Sequence, residues 1–308
     1  MSGIVILILA LLLDLTLGES SNRYHPVAWL GKLISLQLKF SPYGGSVRQF
    51  LYGAWMVLVT AAIIALPLYY ALSFLQSWNI LVYTVISAYV LKTTFSLRGL
   101  WAAVQKVKKC LERDDIADAR LEINALVSRD TQDLSREQLI SASIESCAEN
   151  LCDSFVAPLL YYAVFGLPGA VLYRVINTFD AMIGFHGRWE FTGKFAARLD
   201  DVVNYVPARI SSFLIVLASL YTGRAGAGWH ALLKEHSKTE SPNAGWTMSA
   251  MAGTLGIELE KARAYKLGAA TETISTAAIS RSQVIMLLSA AIWGVVIMAV
   301  EVAISAAR

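Results

Sequence analysis

The sequence of 308 residues has little charge and few cysteines. Charged residues make up 16% and hydrophobic residues 56% of the chain, whereas soluble domains average about 25% and 45–50%. The net charge is only +3, with basic residues spread along the chain, which argues against a nucleic-acid partner. Three cysteines, Cys110, Cys147 and Cys152, form no C-x-x-C pair, which argues against a disulfide framework and a structural zinc site.

The common phosphate-binding and nucleophile motifs are also missing. The chain contains no Walker A pattern, no G-x-G-x-x-G, no G-x-S-x-G and no H-E-x-x-H. An enzyme with this sequence that used ATP would therefore not use the familiar phosphate loop. Of the four histidines, only His25, which precedes Pro26 after the first hydrophobic segment, is a candidate for a site.

Long apolar runs predict an all-α, polytopic integral membrane protein. A bilayer core of about 30 Å needs about 20 apolar residues per helix, and residues 50–75 contain no charged residue. The run 80–91 follows a short neutral turn and predicts a helical hairpin, while 282–307 predicts a C-terminal membrane helix. Segments 4–17, 155–176 and 210–221 are shorter or interrupted and predict re-entrant, tilted or broken helices. We therefore expect about five to six membrane segments in one membrane-embedded domain, 1–308.

One of these interruptions, Gly166-Leu167-Pro168-Gly169, has two interpretations. Broken backbone at membrane depth is tolerated where protein or a water-filled cavity covers it, so the break can mark a functional cavity. The alternative is a tight loop outside the membrane.

The charged segment 105–149 carries apolar residues at helical spacing, which predicts a soluble helical insert. Four Lys and Arg residues lie in 18–49 and nine in 92–149, but the turn 76–79 has none. The positive-inside rule therefore places the two basic segments, and the insert, in the cytoplasm.

A stripe of carboxylates leads into the apolar run that begins at Phe155. Glu145, Glu149 and Asp153 are spaced four apart and share one helix face, where like charges repel. A divalent cation or a substrate would offset that repulsion. A solvated helix face is the alternative.

Two further polar segments flank apolar runs. Asn177 and Asp180 are three apart on one helix face, although such residues also cap helices. The second segment combines carboxylates suited to Mg²⁺ with arginines suited to phosphate, or else forms an interfacial salt-bridge network. Its polar residues are Arg198, Asp200, Asp201, Asn204 and Arg209. Further on, 241–246 is either a loop that covers a ligand or an ordinary turn.

Ordered motifs occur along the chain from Leu13 to Gly253. They are Leu13-Asp14, Gly18, His25-Pro26-Val27, Glu145-Ser146, Glu149-Asn150, Asp153, Ala157-Pro158-Leu159, Asn177-Thr178-Phe179-Asp180-Ala181-Met182-Ile183-Gly184, Ala197-Arg198-Leu199-Asp200-Asp201, Asn204, Pro207-Ala208-Arg209, Ser241-Pro242-Asn243-Ala244-Gly245-Trp246 and Ala250-Met251-Ala252-Gly253. Together they resemble the adenosylcobinamide-phosphate synthase family of cobalamin biosynthesis, over about residues 11–268. The chain departs from that family at Glu19-Ser20, where Asp-Pro is common, and between His186 and Lys194.

The resemblance implies an amide-forming ligase at the cytoplasmic face of the cell membrane that depends on ATP and Mg²⁺. It would join adenosylcobyric acid to aminopropanol phosphate or a related phosphorylated amino alcohol, with an acyl phosphate as intermediate. The lipid bilayer is an expected partner, as are other membrane enzymes of the pathway or a second copy of the chain.

Residue chemistry then distributes the roles among the matching motifs. Glu145, Glu149 and Asp201 are expected to act in catalysis, and Asp153, Asp200 and Asp201 to bind the metal. Arg198 and Arg209 are expected to bind phosphate. The residues expected to orient substrates are His25, Asn150, Asn177, Asp180, Asn204 and Asn243.

Two other classes of protein are compatible with these residues. Membrane prenyltransferases also place Asp and Asn pairs on helices to hold Mg²⁺ and diphosphate, but they release diphosphate without ATP. A corrinoid transporter would also use broken helices and buried carboxylates, and it would move its substrate without ATP turnover.

Overall fold

The computed structural model describes residues 2–18, 23, 25–127, 129–262 and 264–307, so that Glu19 and Ser20 lie outside it. Thirteen α-helices and one β-hairpin occur within these residues, besides short π- and 3-10-helical turns. They are α1 (Ser2–Leu17), α2 (Pro26–Leu38), α3 (Ser46–Trp78), α4 (Ile80–Lys92), α5 (Leu97–Glu112), α6 (Ile116–Ile123), α7 (Arg136–Leu151), α8 (Ala157–Ile183), α9 (Glu190–Val203), α10 (Tyr205–Ala218), α11 (Ala225–Glu235), α12 (Ala244–Leu255), β1 (Glu258–Lys261), β2 (Tyr265–Gly268) and α13 (Thr276–Ala306).

The apolar helices confirm an all-α polytopic membrane protein. Within the described residues, five helical segments are long and apolar enough to cross a membrane, and Gly3–Leu17 is a shorter apolar helix. The five segments are Ser46–Trp78, Ile80–Glu112, Arg136–Ile183, Tyr205–Thr222 and Thr276–Ala306.

The predicted hairpin of α3 and α4 is present, with a tighter turn than expected. Helix α3 continues to Trp78, so Asn79 alone separates the two helices. The Asn79 side chain accepts hydrogen bonds from the backbone N–H groups of Leu81 and Val82 and caps α4.

The chain divides into two compact units, each built from segments that alternate along the sequence. Unit 1 contains 1–96, 157–203 and 297–308, and unit 2 contains 97–156 and 204–296. In unit 2 the segment predicted as a soluble insert forms α5, α6 and α7. Residues 139–148 of α7 are all buried, and a π-helical turn, Cys152–Val156, joins α7 to α8. The extent of the insert stays a prediction, but its last helix is interior.

The core of unit 1 is formed by α2, α3, α8 and α9. Its buried side chains include Ile34, Met56 and Phe179. A Cβ at Gly53 of α3 would lie 1.8 Å from the Thr192 carbonyl oxygen of α9, so only glycine permits this approach of the two backbones.

The chain reverses direction at Gly166, within the residues assigned to α8. Gly166 has φ 67° and ψ −165°, a conformation essentially restricted to glycine. The rings of Tyr161 and Tyr173 stack with centroids 5.2 Å apart, whereas these positions would be about 18 Å apart along a straight helix. The break expected at Gly166 is therefore a hairpin, and its depth in the membrane stays a prediction.

Unit 2 surrounds α12, whose residues from Thr247 to Leu255 are all buried. Helix α13 is attached through the Trp293 indole, which donates to the Val156 carbonyl at 3.1 Å. Strands β1 and β2 pair antiparallel, with Glu258 opposite Gly268. The sequence analysis did not predict this hairpin.

Candidate functional site

A chain of hydrogen bonds in unit 1 fixes two of the predicted site residues. The Asn177 side chain is buried, and its Oδ1 accepts from Arg174 Nη1 at 2.8 Å. Its Nδ2 donates to Asp200 Oδ1 at 3.5 Å, and Arg174 Nε donates to the Thr94 carbonyl at 2.7 Å. The structure therefore brings together Asn177 of α8 and Asp200 of α9, which the sequence analysis named separately and did not pair.

A buried ion pair lies in the same unit, between Asp14 of α1 and Lys92 of α4. Lys92 Nζ is 3.8 Å from Asp14 Oδ1. The sequence analysis did not assign a role to Lys92 or Arg174. The feature that could have identified them is a basic residue within or at the end of an apolar run, because burying such a charge costs free energy unless it has a partner.

The remaining predicted residues of unit 1 differ in exposure. Asp180 and Asp201 are half-buried, and Arg198 is exposed. His25 precedes α2, and its Nδ1 accepts the backbone N–H of Val27 at 3.2 Å, which makes it the N-cap of that helix. The roles of these four residues toward substrate stay predictions.

In unit 2, the carboxylate of Glu145 is held inside a polar cluster. It accepts hydrogen bonds from Ser141 Oγ at 2.6 Å and from the Tyr265 hydroxyl at 2.9 Å, and Arg129 Nη2 lies 3.4 Å away. Burial, followed by the nearby Glu145 charge, raises the pKa of Tyr265 above its usual value of 10.0. The ring hydroxyl therefore stays protonated and donates to the carboxylate.

The carboxylate stripe is thus divided by burial. Glu145 is buried, Asp153 is half-buried and Glu149 is exposed. Asn150 Nδ2 donates to the Ser146 carbonyl at 3.0 Å. Exposure makes Glu149 the member of the stripe that a substrate reaches most directly.

A second cluster in unit 2 forms around Arg209 of α10. Its Nη1 donates to Asn243 Oδ1 and to the Tyr205 carbonyl, each at 2.8 Å. The guanidinium also lies over the rings of Tyr205 and Trp246, 3.6 Å and 4.5 Å from the centroids. The fold therefore joins the Pro-Ala-Arg motif to the loop 241–246, a contact that sequence spacing does not indicate.

Asn204 also belongs to unit 2, and it directly precedes α10. Its side chain is buried, and Cys152 Sγ lies 3.9 Å from its Oδ1. This contact ties the start of α10 to the π-helical turn. Its expected role in orienting substrate stays a prediction.

A protein cage for a metal ion is not formed by the described residues, since no group of three or more His, Cys, Asp or Glu side chains among them could hold one. Mg²⁺ in nucleotide sites usually needs only one or two carboxylates, because phosphate and water supply its other ligands. Of the predicted metal ligands, Asp200 and Asp201 of α9 are half-buried and offer that number of carboxylates, and the half-buried Asp153 lies in unit 2. The predicted magnesium site stays a prediction.

The fold and its polar clusters define a class, that of polytopic α-helical membrane proteins with charged and amide side chains held between their helices. A family model described as CobD/Cbib protein matches residues 7–301. The chain belongs to this family.

Curated relatives match over most of their own length. The cobalamin biosynthesis protein CobD of Dehalococcoides mccartyi is 44% identical, over 95% of this chain and 96% of the relative. The probable cobalamin biosynthesis protein CobD of Methanothermobacter thermautotrophicus is 41% identical over 87% and 88%. That of Methanocaldococcus jannaschii is 36% identical over 86% and 88%. No solved structure matches the chain.

Proposed function

We propose that this chain is a membrane enzyme of cobalamin biosynthesis that joins adenosylcobyric acid to aminopropanol phosphate, or a related phosphorylated amino alcohol, at the expense of ATP. The observation that carries the proposal is the assembly of family-like motif residues into fixed polar clusters. Asn177 and Asp200 share one cluster, and Arg209 and Asn243 share another. Membership of the CobD/Cbib family and the names of the relatives support the pathway.

The reaction forms an amide from a carboxylate, which needs a better leaving group than oxide. A carboxylate oxygen of the corrinoid attacks the terminal phosphorus of ATP, ADP leaves, and an acyl phosphate forms. The amine of the second substrate then attacks the acyl carbon, inorganic phosphate leaves, and the nitrogen loses a proton. The contribution of the protein is to align two substrates and to stabilise phosphoryl charge.

The exposure of the side chains suggests how these tasks are divided. Exposed Arg198 is available to phosphoryl oxygens, and Asp200 and Asp201 would hold Mg²⁺, which neutralises phosphate charge when bound. Glu149 and Asp201 have the access that accepting the amine proton requires. Glu145 is enclosed by Arg129, Ser141 and Tyr265, a setting that suits a structural role in unit 2 more than proton transfer.

The reaction is expected at the cytoplasmic face of the cell membrane. The nine basic residues in 92–149 and four in 18–49 support this orientation through the positive-inside rule. ATP is a cytoplasmic substrate, so the proposed reaction requires the site to face that side.

The proposal is tested with purified protein in detergent, by following ADP release and corrinoid product with both substrates, ATP and Mg²⁺. We expect Asp201→Asn and Arg198→Ala each to lower kcat/KM on the order of 100-fold, because each removes charge that acts on the phosphoryl group. Asp133→Asn and Lys106→Ala, on exposed residues of unit 2, are the matched controls and should retain activity.

The possible outcomes of this assay distinguish an error in the site from an error in the reaction. Near-normal activity in both site variants would reject the assigned site but leave the ligase. Absence of ligation by the unmodified protein under these conditions would reject the ligase. Diphosphate release without ATP would point instead to prenyl transfer, and corrinoid uptake into vesicles without ATP turnover would point to transport.

A further inference from the structure

We propose that Asp14 and Lys92 are positioning residues, which act through Arg174 to hold Asn177 and Asp200 in their working geometry. The inference deepens the proposed function and rests on it for the meaning of that geometry. Both residues lie in unit 1, and the sequence analysis gave neither a role, although Asp14 belongs to one of the motifs that carry the family resemblance.

The first step is the burial of the pair. The side chains of Lys92 and Asp14 are only 6% and 2% exposed, and their charged atoms are 3.8 Å apart. Removing two charges from water costs several kcal/mol per ion, and their mutual attraction offsets little more than that cost. A buried pair therefore adds little net stability. Charges placed among apolar helices are by default candidates for a functional role. With so little exposure, neither side chain can hold a substrate, and both must act through neighbours.

The second step is the position of Lys92 at the last turn of α4. The residues that follow it, Thr93 to Phe95, form a buried turn. The backbone N–H of Phe95 donates to the Lys92 carbonyl at 3.3 Å, and that of Thr94 donates to the Leu91 carbonyl at 3.0 Å. Anchoring Lys92 to α1 therefore fixes the direction of this turn and of its carbonyl groups.

The third step leads from the turn to the site. The Thr94 carbonyl accepts Arg174 Nε at 2.7 Å, and the same guanidinium donates through Nη1 to Asn177. Asn177 in turn donates to Asp200. Asp14 of α1 is thus connected to Asp200 of α9 through α4 and α8, one contact per step. A shift of the Thr94 carbonyl would rotate Arg174 and release the Asn177 amide.

The experiment is a double-mutant cycle between Lys92→Met and Arg174→Gln, with Lys266→Met as control for the loss of an exposed ion-paired lysine. We expect Lys92→Met alone to lower kcat on the order of tenfold or more, since small misplacements of site groups have such effects. In the Arg174→Gln background the same change should have less than about a twofold further effect, because the link is already cut. The control should retain activity.

A variant that removes both charges, Asp14→Leu with Lys92→Met, distinguishes loss of positioning from loss of folding as the cause of a lower kcat. Apolar replacement of a buried pair is often neutral or stabilising, so the thermal midpoint should be at or above that of the unmodified protein while kcat stays low. Full activity in this variant would overturn the inference, as would independent, additive effects of Lys92 and Arg174. The thermal midpoints of the four proteins in the cycle are measured as well, since thermal unfolding needs no substrate. If the unmodified protein shows no ligation, the proposed function fails. Non-additive changes in the midpoints would then still show whether Lys92 acts through Arg174, and additive changes would show that it does not.

Discussion

At the scale of single residues, the contact between Tyr265 and Glu145 makes part of the stability of unit 2 depend on pH. The raised pKa of Tyr265 means that the folded protein keeps the phenol proton when the unfolded chain loses it above about pH 10.0. The contribution of this hydroxyl to stability is therefore complete below pH 10.0 and is lost as the pH rises beyond it. We expect Tyr265→Phe to lower the unfolding free energy by about 1–3 kcal/mol at pH 7, because the hydroxyl donates to a charged acceptor.

The measurement is the thermal midpoint of both proteins between pH 7 and pH 11 in detergent. The difference between them should be largest at pH 7 and should shrink above pH 10.0, where the unmodified protein loses its advantage. Tyr43→Phe, at a tyrosine that is 92% exposed, is the matched control and should follow the unmodified curve. A difference that stayed constant to pH 11 would contradict the assigned cause.

Residue chemistry identified Asn177 and Asp200 as site candidates from the sequence, but it did not predict their contact, because they lie 23 positions apart on different helices. Arg174 was missed, since its partner Thr94 lies 80 positions away in the sequence and no spacing rule connects them. The same reason explains why Arg209 and Asn243, each identified alone, were not expected to touch.

At the scale of elements, the reversal at Gly166 depends on a backbone conformation that other residues rarely adopt. Gly166→Ala should destabilise the protein by about 1–3 kcal/mol, because its φ of 67° with ψ of −165° is strained for a residue with a Cβ. Gly294 of α13 is the matched control, since a Cβ there would meet no described atom within 4 Å. Gly294→Ala should be neutral or stabilising by about 0.5–1 kcal/mol. Equal midpoints for the two variants in thermal unfolding would show that the hairpin at Gly166 tolerates other residues.

The long apolar helices were predictable because their signal extends over many residues. Helix α3 was expected from an uninterrupted apolar run, the C-terminal helix α13 from a run interrupted only by Glu301, and the turn between α3 and α4 from neutral residues. The hairpin of β1 and β2 was missed because each strand has only four residues, too few for a clear alternating pattern. The burial of α7 was also missed, because its charges suggested a solvated surface while their partners came from distant parts of unit 2.

At the scale of the whole molecule, the sequence predicts a single membrane-embedded domain, which stays a prediction, and the chain forms two compact units in alternating segments. Domain boundaries are recognised in sequence by polar, flexible linkers. The crossings here occur within or beside helices, at 96–97, 156–157, 203–204 and 296–297, where composition hardly changes. The interleaving of the chain is set by tertiary packing, which local patterns do not contain.

The orientation of the whole molecule can be tested at the two ends of α3. This helix has 33 residues, and at about 1.5 Å per residue it is long enough to cross the bilayer completely. The basic segment 18–49 precedes it, so the positive-inside rule places Ser46 in the cytoplasm and Ser77 on the opposite side. Both serines are exposed at helix ends, which makes Ser46→Cys and Ser77→Cys a matched pair in a chain whose native cysteines are replaced by serine.

In intact cells, a membrane-impermeant thiol reagent should label Ser77→Cys and leave Ser46→Cys unmodified until the membrane is opened. Labelling of both after permeabilisation shows that each thiol is accessible. The reverse pattern in intact cells would place the basic segments outside. It would also separate the proposed site from cytoplasmic ATP and remove the orientation on which the ligase proposal relies.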